Sequence, residues 1–237
     1  MDFPVPANEQ RRLEALRLHG ILDSEPEAAF DDIALIASEA VGAPVALVSL
    51  IDEHRQWYKA KVGTAASEVP RHETFCTHAL LGDDVMVVED ATRDPRFAAN
   101  PHVTRDGGVR FYAGAPIVDS QGLALGSVCV VGPQARGLTP SQHRLLLALA
   151  RTTMRLLEQR RTARLLAEAL AEVKTVQGLL PICSSCKSIR AEEGYWTQVE
   201  EYFSTRTDAL FSHGICPDCM QRLYPEIFAK LKGEGKI

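Results

Sequence analysis

Six cysteines are the residues of this chain best suited to chemistry, and four of them fall at the spacing of a metal site. "CSSC" at 183–186 and "CPDC" at 216–219 make two CxxC knuckles with 29 residues between them. Tetrahedral zinc in a structural role wants four soft ligands and no open position, and in a reducing compartment paired CxxC motifs serve metals more often than disulfides. We therefore expect zinc on Cys183, Cys186, Cys216 and Cys219, with an iron-sulfur cluster as the alternative for the same ligand type. His213, in "SHGIC", is a fifth candidate for four places: the symmetry of the knuckles leaves it to hydrogen-bond a sulfur or a carbonyl, or to replace one cysteine. Residues 181–237 are too few for a dependable core. Zinc binding contributes about 10–16 kcal/mol in small zinc units, so the metal would decide whether this segment folds.

The other two cysteines lie earlier in the chain. Cys76 and His78, in "ETFCTHAL", stand together at the start of a short helix, where a thiolate is favoured; the bland alternative is a small buried cysteine beside a hydrogen-bonded histidine. Cys129, inside the apolar run "LALGSVCVVG", reads as core, although a thiol couple with Cys76 would suit a reductase. Candidate contacts for a small ligand are Trp57, Cys76, His78, Asp90, Phe111 and Tyr112, the aromatic ones serving equally as core or pocket wall. "EDATRDPRFAANPHV" reads as a loop in which Asp94-Pro95 starts a turn, Phe97 anchors and Asn100-Pro101 breaks whatever follows. Its Asp90, Arg93 and Arg96 could face a polar ligand, or form an internally bonded cap.

The elements that must position these groups follow from periodicity. "EPEAAFDDIALIASEA" places Phe30, Ile33, Ile36 and Ala37 on one face of a helix with acids at its start. "VALVSLID" and the alternating "RQWYKAKV" form a hairpin that turns at Asp52, Glu53 and His54, and "YAGAPIVD" and "LALGSVCVVG" form a second around "SQG". "VMVVED" adds a further strand. Hairpins set among helices imply an antiparallel α+β domain over 1–140. Residues 141–178 read as a connecting helix of roughly ten turns, closed by Gly178 and Pro181. Leu149, Leu156, Ala163 and Leu170, with Gln159, Leu166, Val173 and Leu180, give it a weak heptad seam whose second half could pair with another copy, so a homodimer is expected. Residues 179–237 then form the small zinc-binding domain. There, Trp196, Val199 and Phe203 read as one helical stripe.

Composition bounds the function. The chain has 237 residues, 46% of them hydrophobic, and a net charge of -5, which argues against general nucleic-acid affinity. The tail holds seven Lys or Arg against eight Asp or Glu, so it too lacks the excess positive charge that phosphate binding needs. No run of about 20 apolar residues spans a membrane, and the polar start lacks the apolar core of a signal peptide, so a cytoplasmic location is expected.

"ILDSEPEAAFD", "RQWYKAKVG", "FCTHAL", "VVEDATRDPRFAANPHV", "RFYAGAPIVDSQGLALGSVCVV" and "LTPSQHRLLLALA" occur in the order seen in GAF domains of bacterial sensory proteins, which the chain resembles as far as Glu158. The resemblance implies a central antiparallel sheet with helices on one face and a ligand pocket on the other, and it names no ligand. Free methionine sulfoxide reductases share the fold, but the cysteine arrangement does not clearly match theirs. The tail, with "CKSIR", "GYW", "FSHGICPDC" and "LYP" together, resembles a C-terminal module of bacterial signalling proteins. Together these imply a GAF sensor of a small ligand or redox state, coupled by a helix to a zinc unit that meets a signalling protein partner. Its alternatives are a thiol reductase acting through Cys76 and Cys129, or a constitutive dimeric scaffold. With no paired carboxylates, phosphate loop, kinase or cyclase motif, we expect no enzyme.

Overall fold

The computed structural model describes residues 3–172, 180–190, 194–207 and 209–235, and it divides into two compact units, Met1–Ala167 and Glu168–Ile237. In the first unit, strands β1 (Val45–Ile51), β2 (Arg55–Val62), β3 (Glu68–Pro70), β4 (Met86–Val88), β5 (Phe111–Val118) and β6 (Ala124–Gly132) form one sheet in the order β3-β2-β1-β6-β5-β4. Every neighbouring pair is antiparallel. Both hairpins read from the sequence are present. The short edge strand β3 had no signal, because three residues are too few for alternation to register.

Successive strand side chains point to opposite faces, and here both faces are covered. One face presents Ala46, Val48 and Leu50 of β1, Phe111, Ala113, Ala115 and Ile117 of β5, and Val128 and Val130 of β6. Helices α1 (Glu9–His19), α2 (Ala28–Val41) and the start of α5 (Pro140–Glu172) close it with Leu16, Phe30, Ile33, Leu146, Leu149, Met154 and Leu157. Each such large side chain contributes about 1.5–3 kcal/mol by leaving water. The opposite face carries Leu47, Ile51, Tyr112 and Cys129, packed against Phe75, Leu80, Phe97 and Val103 from the short helices α3 (Cys76–Ala79) and α4 (Pro101–Thr104) and the loops around them. Asn100-Pro101 does not break structure there. The Asn100 side chain accepts the His102 amide at 2.8 Å and Pro101 occupies the first turn, so the pair starts α4.

A buried ion cluster ties α1 to the turn between β1 and β2. Arg12, fully buried, donates to both carboxylate oxygens of Glu9 at 2.7 and 2.8 Å and to the Ile51 carbonyl at 2.7 Å. Arg71 reaches the same carboxylate at 2.6 Å and the Asp52 carbonyl at 3.1 Å. Lys59 makes a second anchor, buried against Phe30, donating to Ser24 Oγ, the Glu25 carbonyl and Glu27 Oε1 at 2.9, 2.6 and 2.7 Å.

α5 packs through Leu157, while Leu165, Leu166 and Leu170 of the heptad region are exposed. The end of the helix read as reaching about Gln177, with Val173, lies outside the described residues. The second unit contains a two-stranded ribbon, β7 (Ile189–Arg190) with β8 (Trp196–Thr197), and helices α6 (Val199–Ser204), α7 (Pro217–Leu223) and α8 (Pro225–Gly233). Trp196 belongs to the ribbon and is exposed, so the expected stripe with Val199 and Phe203 does not form; Tyr202 is the buried residue of α6. Among the described residues no helix is long and apolar enough to cross a membrane.

Removing Arg12 leaves the Ile51 carbonyl without its donor and the Glu9 carboxylate with Arg71 alone, so Arg12→Ala should lose about 1–3 kcal/mol of stability in urea unfolding. Burial alone would raise the Glu9 carboxyl, but the hydrogen bonds and charges of Arg12 and Arg71 hold it at about 2, against an ordinary 4.5. Its contribution is complete above about 4.5 and drains away as pH falls toward 2; the Glu9→Gln variant should flatten that part of the stability profile.

Candidate functional site

On the face of the sheet away from α1 and α2, a cavity of about 390 Å³ opens between β1, β2, β5 and β6 and the segments 63–76 and 102–109. Its wall is apolar, with Val45, Leu47, Val69, Phe75, Val109 and Val131. Its mouth carries charge: Glu73 Oε2 lies 3.3 Å from His102 Nε2, and Arg105 stands on the same rim.

The polar groups converge on one sulfur at the floor. Cys76 Sγ is approached by Gln56 Nε2 at 3.1 Å, Tyr112 Oη at 3.2 Å, Cys129 Sγ at 3.6 Å and Ser49 Oγ at 3.9 Å. All five residues are buried. Strand register assembles them: Leu47 pairs with Cys129 and Ser49 with Ser127 across β1 and β6, which puts Ser49, Ser127 and Cys129 on the cavity face. Gln56 comes from β2, and Tyr112 from β5 by the same parity that turns Phe111 the other way. Tyr112 lies across Gly114, where an added Cβ would stand 2.1 Å from the phenol oxygen. Only glycine leaves the ring room to cross its own strand and stack on Phe75, 5.2 Å between centroids.

Burial alone would raise the Cys76 thiol, but hydrogen bonds from Cys129, Ser127, Tyr112 and Ser49 outweigh it and bring it to about 6. The four-residue α3 is too short for its dipole to account for this, so the expected helix-start effect gives way to side-chain donors. Cys129 moves the other way: its hydrogen bond to Cys76 and its burial hold the thiol well above the ordinary range. Tyr112 is likewise raised by burial and by the Cys76 charge, so it remains an O–H donor. The pair shares one negative charge, placed on Cys76.

Of the six residues expected around a ligand, the cavity gathers Cys76 and Tyr112. Trp57 and Phe111 sit instead in the core beneath the helices, because strand parity sends them to the opposite face. His78 points away, with its ring edge-on to Phe97 at 4.7 Å and its Nδ1 buried without a hydrogen-bond partner among the described residues. Asp90 is half-buried outside the cavity and closes a turn through the Thr92 amide and hydroxyl. The arginine loop is the internally bonded cap, Arg96 pairing with Asp94 at 2.6 Å. Sequence reasoning missed Gln56, Ser49 and Ser127, although a serine in the middle of each of two apolar strand runs was a legible signal.

In the second unit each CxxC forms a local turn. Cys183 N–H donates to the Ser188 carbonyl at 2.8 Å, Lys187 adopts a left-handed φ of 65° directly after Cys186, and Cys186 Sγ lies 3.3 Å from Ser188 Oγ. Cys216 caps α7, its sulfur accepting the Cys219 amide at 3.5 Å. His213 is exposed. One amide thus donates to the Cys216 sulfur, and the Ser188 hydroxyl lies beside the Cys186 sulfur. Among the described residues, however, no three His, Cys, Asp or Glu come together as a metal site, and a zinc-binding domain is not assembled.

The model of the GAF domain family matches residues 25–157. A cyclic di-GMP phosphodiesterase of Pseudomonas aeruginosa is 40% identical over 134 residues, 56% of this chain and 23% of that protein's length. Among solved structures, the GAF domain of an Acinetobacter phosphoenolpyruvate-protein phosphotransferase aligns with TM-score 0.49 at 16% identity, covering 67% of this chain and 97% of that one. A free methionine-R-sulfoxide reductase from Neisseria meningitidis aligns with TM-score 0.45 at 19% identity, covering 70% and 98%. The expectation of no enzyme is overturned by the Pseudomonas protein: a relative sharing this region is named for an enzymatic activity.

Alkylation of Cys76 by iodoacetamide should be half-maximal near pH 6, where the thiolate forms, rather than near 9. Gly114→Ala, which displaces the phenol, and Tyr112→Phe, which deletes its hydroxyl, should both move the midpoint upward. A midpoint unmoved in both variants would remove Tyr112 from the cluster.

Proposed function

This chain belongs to the GAF domain family, of the kind found in signalling proteins, and from that premise we propose that its cavity binds a small molecule whose occupancy is relayed along α5. The observation that carries the reading is the cavity itself: about 390 Å³, apolar walls, a charged mouth and several hydrogen-bonding groups converging on its floor. Such a concave, largely apolar site with a few placed polar groups is the form small-molecule sites take, and it tells against a filled scaffold. The Pseudomonas relative is named for cyclic di-GMP turnover, and control of an enzyme in that kind of signalling is the context we assign to this domain. Release of apolar wall from water and direct bonds to Tyr112 and Gln56 would supply the differential binding that shifts a two-state helix.

Two further parts complete the proposal. The exposed leucines Leu165, Leu166 and Leu170 would pair α5 with a second copy, making the chain a homodimer through that helix. Zinc on Cys183, Cys186, Cys216 and Cys219 would fasten the second unit, which then meets a protein partner; the CxxC spacing and the donors aimed at the sulfurs support it.

Native mass spectrometry of chain purified from cells should detect a retained small molecule, and Val109→Phe, which fills the cavity, should lose it by tenfold or more. A chain that captures no small molecule, from cells or from a nucleotide and metabolite library, overturns the pocket reading. Metal analysis under reducing conditions should return one zinc per chain, falling to near zero in Cys183→Ser and Cys216→Ser. Iron in its place selects the cluster, and a metal-free chain with a protease-resistant tail removes the metal.

A further inference from the structure

The floor of the cavity holds a more specific chemistry than binding. We propose that Cys76 and Cys129 form a dithiol site that takes a hydroperoxide from the cavity and closes reversibly to an intramolecular disulfide. The proposal rests on the reading of the cavity as a small-molecule site and adds the reacting atoms.

Four observations converge on it. The two sulfurs lie 3.6 Å apart, on different elements and 53 positions apart in the chain, a separation that a side-chain rotation can close to a bond. Both residues line the cavity, with Cys76 at 2% exposure the one an entering oxidant meets and Cys129 at 0% lying behind it. Gln56 and Tyr112 aim N–H and O–H groups at the Cys76 sulfur, which suits a thiolate and has no use for a neutral, inert core thiol. The division of labour is also built in: Cys76 carries the charge, and Cys129 keeps its proton for as long as that charge stands beside it.

The sequence of events then balances. The Cys76 thiolate attacks the outer peroxide oxygen; an S–O bond forms, the O–O bond breaks, and the departing alkoxide takes the Cys129 proton and leaves as an alcohol. Cys76 is now a neutral sulfenic acid, and Cys129, its proton given to the alkoxide, is the thiolate beside it. The Cys129 sulfur attacks Cys76, the S–S bond forms, and hydroxide leaves, neutralised by the proton that Cys76 had earlier released to solvent. One hydroperoxide becomes an alcohol and a water, and two thiols become one disulfide. An external dithiol reverses the change by exchange.

The test uses the full reduced chain, equimolar hydrogen peroxide, an alkylating quench and a non-reducing tryptic digest. Cys76 falls in the peptide 72–93 and Cys129 in 111–136, apart from the knuckle peptides 175–187 and 207–222. The expected result is a 72–93/111–136 crosslink, lighter than the two free peptides by two hydrogens and lost on adding dithiothreitol. Cys129→Ser, and equally Cys129→Ala should the serine not fold, should stop at a sulfenic acid on Cys76 that dimedone captures. Cys76→Ser should leave Cys129 reduced. Recovery of both peptides as alkylated thiols from peroxide-treated chain, or irreversible oxidation of Cys76 without a crosslink, overturns the proposal. The retained mass of the pocket experiment is read separately. A chain without a natural ligand would still form the crosslink, and a chain without the crosslink would still hold its ligand.

Discussion

The pairing of β1 with β6 is the constraint on which the rest of this domain depends. It sets Leu47 opposite Cys129 and Ser49 opposite Ser127, and by doing so decides which side chains face the helices and which face the cavity. A slip of one residue would send Val48 and Val128 into the polar site and expose the sulfur to the helix core. The register is held from both sides: by the apolar residues buried beneath α2 and α5, and by the Ser49 hydroxyl, whose oxygen lies 3.2 Å from the Ser127 carbonyl. Arg12 and Arg71 then fix the end of β1 where it turns into β2, so that Gln56 arrives at the right depth.

The two faces of one sheet thus have different tasks. Beneath the helices, packing is apolar and continuous, and the charge brought there on Lys59 is bonded to Ser24, Glu25 and Glu27. On the other face, short helices and turns replace long ones, and they leave a space with donors around it. Those donors do to Cys76 what bulk water would otherwise do: they stabilise its charge in a buried place. They also explain why its neighbour behaves oppositely, since two thiolates 3.6 Å apart cannot both ionise at low cost. The Gly114 gap and the Tyr112 ring that fills it belong to the same design, in which a missing side chain is what lets another reach the sulfur.

The second unit works at smaller scale. Its ribbon and three helices bury little: only Ile189 and Tyr202 among its large apolar side chains are buried among the described residues, while Tyr195, Trp196, Leu210, Phe211 and Ile215 are exposed. Local turns at the two CxxC motifs are well formed by their own hydrogen bonds, which is all that sequence-local physics can supply.

By itself the sequence determined the antiparallel α+β sheet, its two hairpins, the long helix and the family, because these follow from periodicity and turn chemistry over neighbouring residues. It also singled out Cys76 and Tyr112. It could not choose the face of Trp57 or Phe111, since alternation tells which residues share a side and not which side holds the cavity. Nor could it join Cys76 to Gln56, Ser49 and Cys129, which lie 20, 27 and 53 positions away and meet only through strand register. The acidity of that thiol was decided in the same way, because a charge in a buried place is set by the dipoles around it, and those are supplied by the tertiary structure.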